Sequence, residues 1–250
     1  MQHDGAPAAT LLASPKPRKA DEAYDKLKRL IVNLRIAPGA PLDERTLMAT
    51  LNIGRTPLRE AIQRLTLEQL VTNLPRRGYY VQDLSISALN ELITARQVIE
   101  PPVVRLAVPH IGPAEIERLR EITALSAAEL DRHDHEAAIN HHLEFHRTIA
   151  AASGNRYLAA AANQINTRLL RYWYVSFSMS SYTPRFDHHG VLLALIEVRD
   201  EVAVEAAMHD HIEMFRDRLR QIIGTDAELL GREAAGGVFQ RRAMSSGSMP

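Results

Sequence analysis

Between Ser85 and about Gly224, apolar residues recur at three- and four-residue spacing, and there is almost no strand signal. The spacing predicts helices over 87–108, 113–133, 136–153, 156–178, 186–198 and 201–223, which together make an all-α bundle. Pro101-Pro102 should kink or split the first of these near Glu100, and Gly154-Asn155 suits a helix C-terminus. Upstream the pattern is different. A helix is expected from Asp21 to Leu34, with Tyr24, Leu27, Ile31 and Leu34 as its apolar stripe, ended by the Pro38-Gly39 turn. Asp43 should cap a short helix from Glu44 to Leu51. The run I-G-R-T-P-L-R-E-A-I-Q-R-L, Ile53 to Leu65, then reads as a turn at Gly54, an N-cap at Thr56 and Pro57 at the first helical position. Leu58, Ala61, Ile62 and Leu65 share one face of this third helix, which should end near Leu70. V-T-N-L-P-R-R-G-Y-Y-V-Q follows, two β-prone runs around a Pro-Arg-Arg-Gly turn, and predicts a hairpin.

The predicted fold class is therefore mostly α: an N-terminal winged helix-turn-helix followed by an all-α helical bundle. Four segments are expected: a disordered arm over 1–19, the winged helix-turn-helix over 20–83, the bundle over 84–224, and a disordered tail over 225–250. A chain of 250 residues with 46% hydrophobic residues can bury a core of this size. It has no cysteine, which excludes a disulfide framework and thiolate metal sites. No apolar run approaches the roughly 20 residues of a membrane span. The N-terminus lacks the basic start of a secretory signal, so the expected location is the cytoplasm.

The formal net charge of zero hides an asymmetry. Lys16 to Tyr80 holds 13 Lys/Arg and 7 Asp/Glu, whereas Val81 to the end holds 17 and 22. A basic front on an acidic remainder points to a phosphate-binding module joined to something else. Arg55 and Arg59 flank the start of the third helix, and Arg45 lies near the start of the second. A helix with one buried side and a basic N-terminal end is built to enter a major groove, although an ordinary surface helix with solvated arginines has the same pattern. Arg76 and Arg77 at the hairpin tip would run along the backbone or enter the minor groove; their plainer reading is a solvated turn.

Eleven histidines are many for this length. His142 and His146 lie one turn apart on the stripe of Ile139, Leu143, Ile149 and Ala150. His189 shares a face with Leu192, Leu193 and Ile196, and His211 a face with Val204, Ala207, Met208, Phe215 and Ile222. His141, His188 and His209 point elsewhere, as does Glu144. One inward histidine is ordinarily a hydrogen-bonded core residue. Four on three helices need a common partner, because an unpaired buried polar nitrogen costs about 1–3 kcal/mol. A divalent metal satisfies them all, with the i, i+4 pair giving two ligands from one helix. Arg96 lies on the stripe of Leu89, Leu92, Ile99 and Val103, and its guanidinium needs an anion. Glu100, four residues on, would serve structurally; the carboxylate of a small effector, held bidentately, is the alternative.

Two runs resemble a known family. R-I-A-P-G-A-P-L-D-E-R-T-L through T-P-L-R-E-A to P-R-R-G-Y-Y-V looks like the DNA-binding domain of GntR-type bacterial transcription regulators, over about Tyr24 to Val81. The resemblance implies that Arg45, Arg55, Thr56 and Arg59 contact bases or phosphates, and that Gly78 lets the wing approach the groove. Gly54 stands where the family often has Ser, which would lose one hydroxyl contact to phosphate. F-H-R-T-I-A-A-A-S-G-N, then H-G-V-L-L-A-L-I-E-V-R-D and A-M-H-D-H-I, are similar to the FCD effector domain of the FadR subgroup. Many members bind a metal through one Asp and three His. The three His correspond to His146, His189 and His211, and the Asp to His142. An imidazole there removes a negative charge and favours Zn, Ni or Cu over harder ions, with Zn expected first; it could also weaken the site or leave it empty.

The resemblance implies a ligand-responsive regulator, in keeping with a repressor. Its partners would be double-stranded palindromic operator DNA, a small carboxylate metabolite held by Arg96 at the metal, and a second copy of the chain. Two alternatives stay open. One is a metal sensor. The other is a metal-dependent enzyme, which lacks an H-E-x-x-H pattern, a nucleophile elbow and a carboxylate beside the histidines on the inner face.

Overall fold

The computed structural model describes residues 18–179 and 188–224, with only the backbone described at 177–179 and 221–224. The expectations for the N-terminal arm, the C-terminal tail, the start of the helix at 186 and the side chain of Ile222 lie outside the described residues.

The front part is built from helix α1 (Lys19–Val32), helix α2 (Glu44–Leu51), helix α3 (Arg55–Leu67), and strands β1 (Val71–Leu74) and β2 (Gly78–Val81). Asp43 caps α2 as expected, its Oδ1 accepting from Thr46 N at 2.6 Å. The turn into α3 differs from the expectation in two details. Asn52, not Gly54, takes the left-handed conformation, with φ 52°. Gly54 is the N-cap in extended conformation, so α3 begins at Arg55 and Thr56 lies inside its first turn. The physical reason is that the first helical N–H groups have no intrahelical acceptor, so Pro57 is harmless at the third position as well as the first. The hydrophobic face is the one predicted: Leu58, Ala61, Ile62 and Leu65 are all fully buried.

β1 and β2 pair antiparallel with Val71 opposite Val81 and Leu74 opposite Gly78. Arg76 has φ 64° and Arg77 N donates to Leu74 O at 3.0 Å, which fits Pro75 and Arg76 as the central residues of a type II turn. Gly78, at φ 92°, reverses the chain where a side chain would be strained. Residues 39–42 add a short third edge, with Leu42 N donating to Tyr79 O at 2.8 Å and Pro41 opposite Tyr80.

The rear part is all helical: α4 (Ile86–Ala107), α5 (Pro113–Asp131), α6 (His135–Ala152), α7 (Arg156–Met179), α8 (His188–Glu197) and α9 (Glu201–Gly224). α4 packs on α6, α7 and α9; α5 packs on α6 and α8. Pro101-Pro102 does not split α4, which runs unbroken through both prolines. Packing against three neighbouring helices outweighs the loss of the two N–H groups. Gly154, at φ 68°, ends the α6 turn in the left-handed conformation.

The two parts share one apolar core, which runs from Leu27 in α1 to Leu219 in α9. Helix α7 joins them through polar contacts too. Arg168 Nε donates to Glu68 O at 2.9 Å, just past the end of α3. Arg171 donates to Gln82 O, just past β2. Tyr172 Oη donates to Ser85 O at 3.0 Å and accepts from Ser85 N at 3.3 Å. A cavity of about 400 Å³ lies at this junction, lined in part by Arg168, Arg171 and Leu92.

A buried histidine cluster and a basic reading head

α6, α8 and α9 each turn an apolar stripe inward, and each stripe carries imidazole. His142 and His146 come from α6, His189 from α8 and His211 from α9; all four are buried, His189 completely. Their candidate ligand atoms all lie within 4.8 Å of one another, near enough to close on one ion. The rings of His142 and His189 are stacked with centroids 4.7 Å apart, and His189 in turn stacks on Phe145 at 4.1 Å. His141 and His188 are partly exposed and His209 is exposed, as their positions on the helices predicted.

Burial holds all four imidazoles in their neutral form. It pushes the pKa of His142, His146 and His211 well below the usual histidine value, and that of His189 down to about 3; the Arg96 guanidinium adds to the effect. Neutral imidazole is the form that ligates a metal. Four of them at this spacing fit a borderline ion and provide no hard oxygen donor. The cluster can hold one metal ion.

Arg96 is 1% exposed and reaches the cluster from α4. Its Nε donates to Glu100 Oε2 at 2.9 Å. Its Nη2 lies 3.1 Å from His146 Nε2 and 3.4 Å from His211 Nε2. Glu100 Oε2 is also 3.5 Å from His146 Nδ1, and Glu100 Oε1 accepts from Asn166 Nδ2 on α7. This corrects the expectation that no carboxylate lies beside the histidines. Glu100 is on α4, and its distance to α6 is set by helix packing rather than by its own stripe. Asn166 and Phe145 were likewise missed. Asn166 gave one weak signal, a polar residue on an otherwise apolar helical face.

At the other end of the molecule, Arg45, Arg55, Thr56, Arg59, Arg76, Arg77 and Gly78 are all exposed, on α2, α3 and the wing tip. Arg59 Nε is bonded to both oxygens of Glu44, at 3.1 and 3.0 Å, which ties α3 to α2. Arg64 turns back to Asp21 at 2.8 Å and lies 3.8 Å over the Tyr24 ring, so it braces α1 instead of facing outward. A Cβ at Gly54 would meet only the Pro57 ring, at 3.7 Å, so no steric demand keeps glycine there.

Comparison with known proteins agrees with both halves. Residues 19–81 match the bacterial regulatory proteins of the gntR family, and residues 91–214 match the FCD domain. The chain belongs to the GntR family, in the subgroup with a C-terminal FCD domain. It is a DNA-binding transcription regulator. It is 26% identical over 213 residues to the HTH-type transcriptional repressor RspR of Escherichia coli K12, covering 85% of this chain and 93% of that protein. It is 28% identical over 205 residues to the HTH-type transcriptional repressor GlaR of the same organism, covering 76% and 91%. Its fold is similar to that of E. coli McbR/YncC, with TM-score 0.74 and 21% identity over 82% of this chain and 98% of that one. These relatives are transcription regulators, and the enzyme alternative falls with them.

Proposed function

We propose that this GntR-family regulator is a repressor that senses a small organic acid through a metal held by His142, His146, His189 and His211. The observation that carries the proposal is the buried four-imidazole cluster with an arginine against it. Four neutral ligands leave the full charge of a divalent ion uncompensated, because Arg96 is already balanced by Glu100. An anion is then the natural further occupant, and Arg96 can hold its carboxylate through the terminal guanidinium nitrogens. Zinc is the first choice of metal, with nickel and copper as alternatives.

The domain limits follow the same reading: a winged helix over 20–83 and an FCD-type effector and dimerisation domain over 84–224, between the terminal segments 1–19 and 225–250. Two copies would hold two α3 helices against successive half-sites of a palindromic operator. Arg45, Arg55, Thr56 and Arg59 would contact bases or phosphates, with Arg76, Arg77 and Gly78 on the wing. None of the helices searched is long and apolar enough to cross a membrane, and a regulator acting on DNA works in the cytoplasm.

The DNA half is tested by titrating the protein with its own promoter fragment across a range of salt. Specific binding should weaken steeply as salt rises, and Arg55→Ala should lose roughly 10- to 100-fold of its discrimination between promoter and unrelated DNA. Equal affinity of the wild type for both DNAs would overturn this half of the proposal. For the sensing half, zinc should bind the chelator-treated protein at one ion per chain, and His189→Ala should lose most of that affinity. A small carboxylate should then change operator affinity only in the zinc-loaded protein, and Arg96→Leu should abolish the response. A change in operator affinity with zinc alone, unaffected by any carboxylate, would favour the metal-sensor reading instead; Arg96 already bonded to Glu100 is the observation on its side.

A further inference from the structure

The Nε2 atoms of His146 and His211 face the same nitrogen of Arg96. On His146 the other ring nitrogen, Nδ1, faces Glu100. Nε2 is therefore the His146 atom left for a metal, and the guanidinium lies against it. One lone pair cannot serve both. An ion taking that lone pair displaces Arg96 Nη2, and Arg96 is fixed to Glu100, which is fixed to Asn166.

Asn166 sits on α7. One half-turn further along, Arg168 holds the carbonyl of Glu68 behind the recognition helix; at the next turn Arg171 holds the carbonyl of Gln82 behind the wing. Arg171 is 2% exposed, so its grip is made inside the protein and not across a wet surface. One helix thus holds the polar partner of the histidine site and, within five residues, the two arginines that seat the DNA reader.

We infer that Asn166 is the positioning residue through which occupancy of the histidine cluster acts on the DNA-reading half. The inference rests on the reading of the cluster as a metal site. Its physical content is that the two states differ in which group holds the His146 lone pair, and that this difference reaches α7 by way of Glu100. A ligand shifts a conformational equilibrium only through such a differential contact. The amide of Asn166 makes the Glu100 contact, and no metal ligand lies on α7 itself.

The test is a coupling measurement on the full chain, with zinc alone as the ligand. Operator affinity and zinc affinity are measured for the wild type, Asn166→Ala and Asn166→Gln. In the wild type, zinc should change operator affinity by a factor of about 5 to 150, the ordinary range of allosteric coupling. In Asn166→Ala that factor should fall to within about twofold of one, while metal-free operator affinity stays at the wild-type value. Loss of a hydrogen-bonded neighbour of a ligand should cost zinc affinity no more than about 10- to 100-fold. Asn166→Gln, which keeps the amide, should recover part of the coupling. Arg168→Ala breaks the far end of the connection and should lower the coupling with zinc affinity unchanged. If Asn166→Ala unfolds, Arg168→Ala and Asn166→Gln decide the matter. Wild-type coupling in a folded Asn166→Ala, or zinc bound by the wild type with no change in operator affinity, would overturn the inference and leave the metal site standing. No zinc binding by the wild type would overturn the metal-site reading and the inference with it.

Discussion

Replacing Glu100 by alanine lowers folding stability by roughly 3–5 kcal/mol, the usual cost of leaving a buried charge without its partner. Glu100 is 4% exposed and balances a guanidinium that is 1% exposed. It also takes up Asn166 and faces His146, so its removal strands polar groups on three helices. The measurement is urea unfolding of the metal-free protein. The paired replacement Arg96→Met with Glu100→Leu should cost far less, because it removes both desolvated charges and keeps the volume. A loss below about 1 kcal/mol for the single variant would mean that water or another group already compensates Arg96.

The second large effect is acid sensitivity of the metal-free protein. Burial holds the four cluster histidines below the ordinary histidine pKa of about 6.5, and His189 down to about 3. Below pH 6.5 the unfolded chain takes up protons that the folded chain refuses, so stability falls as pH falls. The stabilisation is fully present above about pH 6.5 and is lost progressively toward pH 3, where His189 itself is protonated. Each such group contributes on the order of 1 kcal/mol per pH unit, and four together amount to a large share of a typical stability of about 5–15 kcal/mol. Saturating zinc should oppose the loss, by about 2.7 kcal/mol at a hundredfold excess over Kd, until protons compete for the ring nitrogens. Thermal melting from about pH 7 to pH 5, with chelator and with zinc, measures both arms. A flat profile in chelator would show that the imidazoles reach water and would remove the electrostatic basis of the site.

Much of this site was visible in residue spacing. His142 and His146 fall four apart on a stripe of Ile and Leu, and His189 and His211 each share a face with buried aliphatics, so helical geometry alone turns them inward. The same periodicity placed Leu58, Ala61, Ile62 and Leu65 in the core of α3 and left Arg55 and Arg59 outside. Turn details were less legible. Thr56 was expected to cap α3, yet Gly54 does so, because several residues near a helix start can fill that role and Pro57 tolerates more than one of them. Pro101-Pro102 is a strong local break signal, but it is overruled by the neighbours on which α4 packs.

From the order of its residues alone, this chain settles its helical periods, its basic front, its hairpin turn and the inward sides of its histidine-bearing helices, because all of these depend on neighbours a few positions apart. Tertiary packing decided that the four imidazoles meet at one point, that Glu100 stands between Arg96 and His146, and that α7 holds both this cluster and the DNA reader. Those contacts join residues far apart in the chain, and their distances are set by how whole helices pack, which no local spacing encodes.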